Sequence, residues 1–250
     1  MIIHLWVYTL ISVVIVSAIS LIAVFFLTVS EATLKKLLLF LVSFAVGGLF
    51  GDAFIHLLPE SFEKLGFGLI SSTLILAGIL IFFVLEKFIH WRHCHDIDCE
   101  EHAHPMVAVN LIGDGVHNLI DGMLIAASYS VSIPLGFTTT IAVILHEIPH
   151  EIGNFGILVH GGLSVKKAVL YNFCSALAAI LGAVLALIIG PQVKGFSEIL
   201  LPITAGGFIY VAGSDLIPEL KHEAHISHSF MQLIAILFGI ALMALLTLAG

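Results

Sequence analysis

The sequence predicts an all-α polytopic membrane protein with eight helical spans. Three observations carry that class. The 250 residues are 60% hydrophobic and only 10% charged, where a soluble domain carries about a quarter charged residues. The mean hydropathy is +1.15. The apolar runs recur at about the 20 residues that a helix needs to cross a hydrocarbon core. A soluble globular domain is thereby excluded. The formal net charge of −8 suits cations as partners, and no nucleic-acid partner is expected. The three cysteines, Cys94, Cys99 and Cys174, form no disulfide framework.

The expected spans, in order, are Leu5–Val29, Leu34–Leu58, Phe67–Ile89, Met106–Ala127, Ile133–Val159, Ala168–Ile189, Ile199–Leu220 and Phe230–Ala249. The first lacks a basic leader and is long enough for a span, so it reads as a span rather than a cleavable signal. Connectors are short apart from the His-rich stretch 90–105, so residues 1–250 read as one transmembrane domain in a lipid bilayer. Lys35, Lys36, Lys87, Arg92, Lys166, Lys167 and Lys221 fall at one face, and Lys64 and Lys194 at the other. Positively charged loops stay cytoplasmic, which places both termini outside and the 90–105 loop inside.

Span two ends in Gly51-Asp52-Ala53-Phe54-Ile55-His56-Leu57-Leu58-Pro59-Glu60, and span seven in Gly213-Ser214-Asp215-Leu216-Ile217-Pro218-Glu219. Similar patterns at opposite faces suggest an inverted repeat, spans one to three against six to eight, around a central hairpin of spans four and five. The alternative is that Pro-Glu simply ends a helix at the interface. Asp52, His56, Asp114, Asn172, Asp215 and Glu219 are candidate pathway or gate residues.

Spans four and five hold the polar residues that apolar helices do not need. In span four, Asp114, His117, Asn118 and Asp121 follow i, i+3, i+4, i+7, one stripe of a helix, which Asn110 extends. In span five, His146 and His150 lie one turn apart, as do Glu147 and Glu151. Pro149 between them lacks an N–H and frees the Leu145 carbonyl, which predicts a kink. Ionisable groups inside a membrane are costly and face protein, water or an ion. A short hairpin makes the two stripes neighbours. Mixed imidazole and carboxylate donors suit zinc, iron(II) or manganese. In span six, Asn172 stands apart from small residues that read as close packing.

The loop offers His90, His93, Cys94, His95, Cys99, His102 and His104, which could hold zinc or form a solvated polar loop. His222, His225 and His228 form a smaller cluster at the same face.

Two chemistries compete for the central stripe. One is transport of a divalent metal ion through a mid-membrane site. The other is intramembrane proteolysis, since His146-Glu147-Ile148-Pro149-His150 matches the zinc-protease pattern H-E-x-x-H. The proline inside the motif, the extra Glu151 with a full stripe on span four, and the lack of room for a substrate-recognition domain favour transport. The expected protein is therefore not an enzyme.

With these residues named, HNLIDG (His117 to Gly122) and HEIPHEIGNF (His146 to Phe155) resemble the ZIP (Zrt-, Irt-like protein) family of divalent-metal transporters. GDAFIHLLPE and the Asp-Leu-Ile-Pro-Glu-Leu run agree, and the H-E-x-P-H-E form is similar to a subfamily that includes many animal zinc importers. The resemblance covers the whole chain. It implies zinc import into the cytoplasm, with iron, manganese or cadmium as lesser substrates, most often across the plasma membrane. It implies alternating access, the helices that carry the site sliding against a scaffold, and homodimers are common in the family. By motif position, it implies a first metal site of His117, Asp121, His146 and His150. Asn118, Glu147 and Glu151 would serve a second, with His150 able to bridge. Some bacterial relatives place a Glu of span six in the second site. The matching residue here is Ala179, so one tightly held ion is expected.

Overall fold

A computed structural model describes residues 2–22, 24, 31–91, 103–220 and 226–249. Among them the chain is helical and holds no strand. The helices are α1 (Ile2–Ile19), α2 (Glu31–Gly51), α3 (Leu58–Leu65), α4 (Leu69–Trp91), α5 (Ala103–Val131) and α6 (Ile133–His160). Then come α7 (Val165–Ala176), α8 (Ala178–Ile189), α9 (Phe196–Tyr210), α10 (Ile217–Leu220) and α11 (Ile226–Ala249).

Five stretches of the described residues are long and apolar enough to cross a membrane: Ile3–Ile22, Lys36–Leu65, Val165–Gln192, Phe196–Ser214 and His228–Leu248. Leu69–Leu85 is a shorter apolar helix. Neither α5 nor α6 is in this set. Both are longer than the spans expected there, and the physical reason is composition: they carry the ionisable stripes. Their polar faces are turned inward, with Asp114, Asn118, Asp121, His146, Glu147 and Glu151 all buried. The outer surface is instead apolar, with Leu76, Leu80, Leu181, Phe238 and Leu245 exposed. That is the distribution a lipid solvent selects.

The hairpin between α5 and α6 is as tight as expected. Ser132 is extended (φ −158°, ψ 156°), and its hydroxyl accepts from Leu135 N at 3.2 Å, capping α6, while Pro134 sits in the first turn where no N–H is needed. The helix α6 runs unbroken through Pro149. It closes at Gly161 and Gly162, whose φ of +90° only glycine adopts without strain, and the chain turns there into α7.

Helix packing sorts the helices into two groups. The first contains α1, α5, α6, α7 and α8. In the second, α2 packs on α11 and α4 packs on α9. The groups meet where α2 crosses α6 and α9 crosses α5. Backbones touch at reciprocal glycines. A Cβ on Gly122 would lie 1.8 Å from Ala179 O, and one on Gly182 would lie 1.9 Å from Leu119 O. Gly47 meets Ile236 O and Gly239 meets Phe44 O, and Gly78 and Gly206 do the same with Ile203 O and Ile75 O. With no hydrophobic drive between helices in lipid, such close approach is what gains packing energy.

Two six-residue π-helical stretches interrupt the rods, Asp52–Leu57 between α2 and α3 and Val211–Leu216 between α9 and α10. Each ends on the same bond pattern: Leu58 N donates to Ala53 O, and Ile217 N donates to Ala212 O. The next residue is Pro59 in one and Pro218 in the other. A proline clashes with the carbonyl four residues back, and the wider turn relieves that clash. Each stretch also follows a glycine pair at the same spacing, Gly47-Gly48 and Gly206-Gly207.

Candidate metal centre

Four donors from α5 and α6 close on one point. His117, Asp121, His146 and Glu147 each offer an atom, and the four atoms lie within 4.8 Å of one another. His146 Nε2 is 3.1 Å from Asp121 Oδ2, 3.4 Å from His117 Nε2 and 3.6 Å from Glu147 Oε1. His117 Nε2 is 3.3 Å from Glu147 Oε1 and 3.7 Å from Asp121 Oδ2. Zinc bonds to nitrogen and oxygen of about 2.0–2.1 Å in tetrahedral geometry give ligand–ligand edges of about 3.3–3.4 Å. These five of the six edges bracket that value, and the sixth, between the Asp121 and Glu147 carboxylates, is no longer than 4.8 Å.

The surroundings prepare these atoms for an ion. His146 Nδ1 lies 3.1 Å from Ala142 O, the place of an N–H donor, which leaves Nε2 to face inward. The buried carboxylate oxygens of Asp121 and Glu147 receive no hydrogen-bond donor. Buried and unpaired, such oxygens are costly, and a cation offsets that cost. The walls are apolar. Phe82 of α4 meets His117 edge-on at 5.9 Å, and Phe208 of α9 meets His146 at 6.0 Å.

Known zinc transporters resemble this chain. A family model described as ZIP Zinc transporter matches residues 3–106 and 92–247. The chain is 32% identical to zinc transporter zipt-7.1 of Caenorhabditis briggsae, over 97% of this chain and 79% of that protein. It is 36% identical to zinc transporter ZIP13 of Pongo abelii, over 83% of this chain and 66% of that protein. With zinc transporter SLC39A7 of Rattus norvegicus the identity is 31%, over 97% of this chain and 72% of that protein. The chain belongs to the ZIP zinc transporter family.

In this ZIP chain the described side chains group differently from the two sites that motif position implies. Glu147 stands with His117, Asp121 and His146, and His150 stands outside them. The His150 ring stacks on His117 at 4.8 Å, and its Nδ1 is 3.6 Å from Asp114 Oδ1. Asn118 Nδ2 points at Asp114, 3.2 Å from its backbone O and 3.4 Å from Oδ1, while its own Oδ1 has no partner. Glu151 Oε2 accepts from Asn172 Nδ2 of α7, and Oε1 has no partner. Asn172 thus meets Glu151 in the polar core.

Two residues of this core escaped the sequence reading. Asn154 and Ser175 both donate to Asp114. Asn154 was legible, since it follows His150 by four and Glu147 by seven. Ser175 was not, because a serine on a small-residue face reads as packing.

Asp52 and His56 form a separate cluster of the ZIP fold. His56 Nδ1 is 3.1 Å from the fully buried Asp52, and His56 Nε2 is 3.0 Å from Thr247 Oγ1 of α11. Asp215 lies in the second π stretch and Glu219 in α10, with their side chains outside the described residues. His93, Cys94, His95, Cys99 and His102 fall outside the described residues. So do the side chains of His90, at the end of α4, and His104, at the start of α5.

Proposed function

We propose that this ZIP chain carries zinc across a membrane into the cytoplasm by alternating access, with iron, manganese or cadmium as lesser substrates. The observation that carries the reading is the buried cluster of His117, Asp121, His146 and Glu147 between α5 and α6, whose donor atoms lie within 4.8 Å of one another. Two imidazoles and two carboxylates suit a borderline divalent ion. The relatives are named zinc transporters.

The division of helices supports the movement. Donors sit only on α5 and α6, inside the first group, while α4 and α9 of the second group supply the aromatic walls Phe82 and Phe208. Sliding of the first group past those walls opens the cage to one side and then the other. Eight spans with an inverted repeat accommodate the helices. The matched π stretches and the paired Gly-Gly segments support the repeat of spans one to three in six to eight. The lysine bias supports both termini outside, with the 90–105 loop in the cytoplasm, and the membrane is taken to be the plasma membrane.

Proteolysis fits the geometry less well. A metalloprotease places both histidines of H-E-x-x-H on one ion and keeps the glutamate free as base. Here Glu147 occupies a donor position, and His150 turns Nδ1 toward Asp114.

The test is uptake by purified protein in sealed liposomes. Zinc-dependent filling of a lumenal dye, abolished in His146→Ala, supports transport. No flux in wild type, together with peptide cleavage that Glu147→Gln abolishes, overturns it.

A further inference from the structure

Away from the four-donor cluster, an ionisable group lies on the seam between the two helix groups. Asp52 opens the first π stretch, which packs against α6, and its side chain is fully buried. Its Oδ1 faces His56 Nδ1 at 3.1 Å, and His56 Nε2 is 3.0 Å from Thr247 Oγ1. A neutral imidazole serves both contacts with its one hydrogen, donating from Nδ1 and accepting at Nε2. Both ring nitrogens are thereby engaged, and the ring adds no charge.

The other carboxylate oxygen is differently placed. Across the seam, the hydroxyls of Thr138 and Thr139 of α6 stand beside Asp52. Both threonines are buried. Their hydrogens are committed elsewhere, Thr138 to Leu135 O at 3.0 Å and Thr139 to Ser128 Oγ at 3.1 Å. Asp52 Oδ2 receives no donor among the described residues. One carboxylate oxygen and two hydroxyl oxygens therefore face one another through lone pairs. Burying acceptors against acceptors is unfavourable unless something positive lies among them.

We propose that Asp52, Thr138 and Thr139 form a site for a small monovalent cation, sodium, that ties α2 to α6. The donor set decides the class of ion. All three donors are hard oxygens, which suit a hard cation and not the softer zinc. The single carboxylate decides the charge. It neutralises one unit, and a divalent ion would leave a buried net charge. Interrupted helices are also where transporters bind small ions. The ligands come from both helix groups, so the ion is held only while the two keep this register. By linkage, sodium favours this arrangement over any in which α6 has slid past Asp52.

The experiment is thermal unfolding of the purified chain in detergent against sodium chloride, for wild type and Asp52→Asn. Potassium and N-methyl-D-glucamine chlorides at matched ionic strength are the controls. Sodium is expected to raise the unfolding temperature saturably, by about 3–6 °C at roughly ten times the half-saturating concentration. Potassium, the larger ion, should act only at higher concentration, and N-methyl-D-glucamine not at all. Asp52→Asn should lose the sodium-specific shift, while visible absorption of its cobalt(II)-loaded form stays that of wild type. If Asp52→Asn does not fold, Thr138→Val combined with Thr139→Val keeps the carboxylate, removes two oxygens and should lose the shift as well. Equal unfolding temperatures in all three salts would overturn the proposal and leave a proton or water as what satisfies Oδ2. A sodium-specific shift that persists in either variant would overturn it too. No zinc is present in these scans, so absence of zinc flux in liposomes bears on the transport reading and not on this site.

Discussion

His146 Nε2 and Asp121 Oδ2 stand 3.1 Å apart across the α5–α6 hairpin, one donor from each helix. Each helix brings two of the four donors to the same point, so the cluster exists only where the two helices pair.

His117→Ala, Asp121→Ala and His146→Ala are each expected to cut zinc flux by an order of magnitude or more at normal expression. Each removes one of four ligands, and a tetrahedral site has no spare. Glu147→Gln should weaken zinc binding more than His150→Ala does, because Glu147 is inside the cage and His150 is outside. Calorimetric titration of the two purified variants decides the order. A stronger effect of His150→Ala would place the first ligand set where motif position puts it.

Zinc affinity should fall as the medium is acidified. Histidine ligands bind metal only when neutral, and their ordinary pKa is about 6.5. Protons then compete with zinc for His117 and His146, and binding at pH 5.5 should be weaker than at pH 7.5. Equilibrium dialysis at both values measures this, and equal affinity would argue against imidazole ligands.

One tightly held zinc per chain is expected, since Ala179 supplies no oxygen to a second ion. Two divalent ions about 4 Å apart repel by roughly 16 kcal/mol at an effective dielectric near 20, before any ligand compensates. Metal analysis of protein dialysed against low zinc gives the stoichiometry. Two equally tight ions would contradict it.

Gly122→Ala should destabilise the protein by about 1–3 kcal/mol, as overpacking does, because the new Cβ meets Ala179 O. Gly153→Ala, with nothing within 4 Å of its Cβ, should be neutral or slightly stabilising. Thermal unfolding in detergent compares the two. Equal effects would mean that the α5–α8 contact is looser than described.

For topology, Lys64→Cys and Lys166→Cys are introduced one at a time after Cys94, Cys99 and Cys174 are replaced. An impermeant maleimide in intact cells should label position 64 and not 166. The reverse pattern would invert the orientation.

Much of the centre was legible because ionisable residues at helical spacing have few innocent uses in apolar helices. His117, Asp121, His146 and Glu147 all come from that one pattern. Their partition did not come with it, since spacing along a helix does not say which rotamer turns inward. Glu147 stands in the cluster and His150 faces Asp114 through contacts with α5. Phe82 and Phe208 were illegible for a related reason. They lie on α4 and α9, among many phenylalanines in apolar runs, and only tertiary packing selects those two. The Pro-Glu ends of spans two and seven were visible, but the π-helical bonds before them were not.

Those two wide turns carry a consequence for phase. A π turn holds one residue more than an α turn, and one residue of helix is about 100° of rotation. The glycine pair that seats each rod and the Pro-Glu that ends it are therefore offset by about 100° from where an uninterrupted helix would put them. Winding Asp52–Leu57 or Val211–Leu216 as an α-helix of the same length would leave the hydropathy of the rod untouched. It would still swing Pro59 and Glu60, or Pro218 and Glu219, onto another face. In these two segments the hydrogen-bond register, more than composition, sets which face the end of the rod presents.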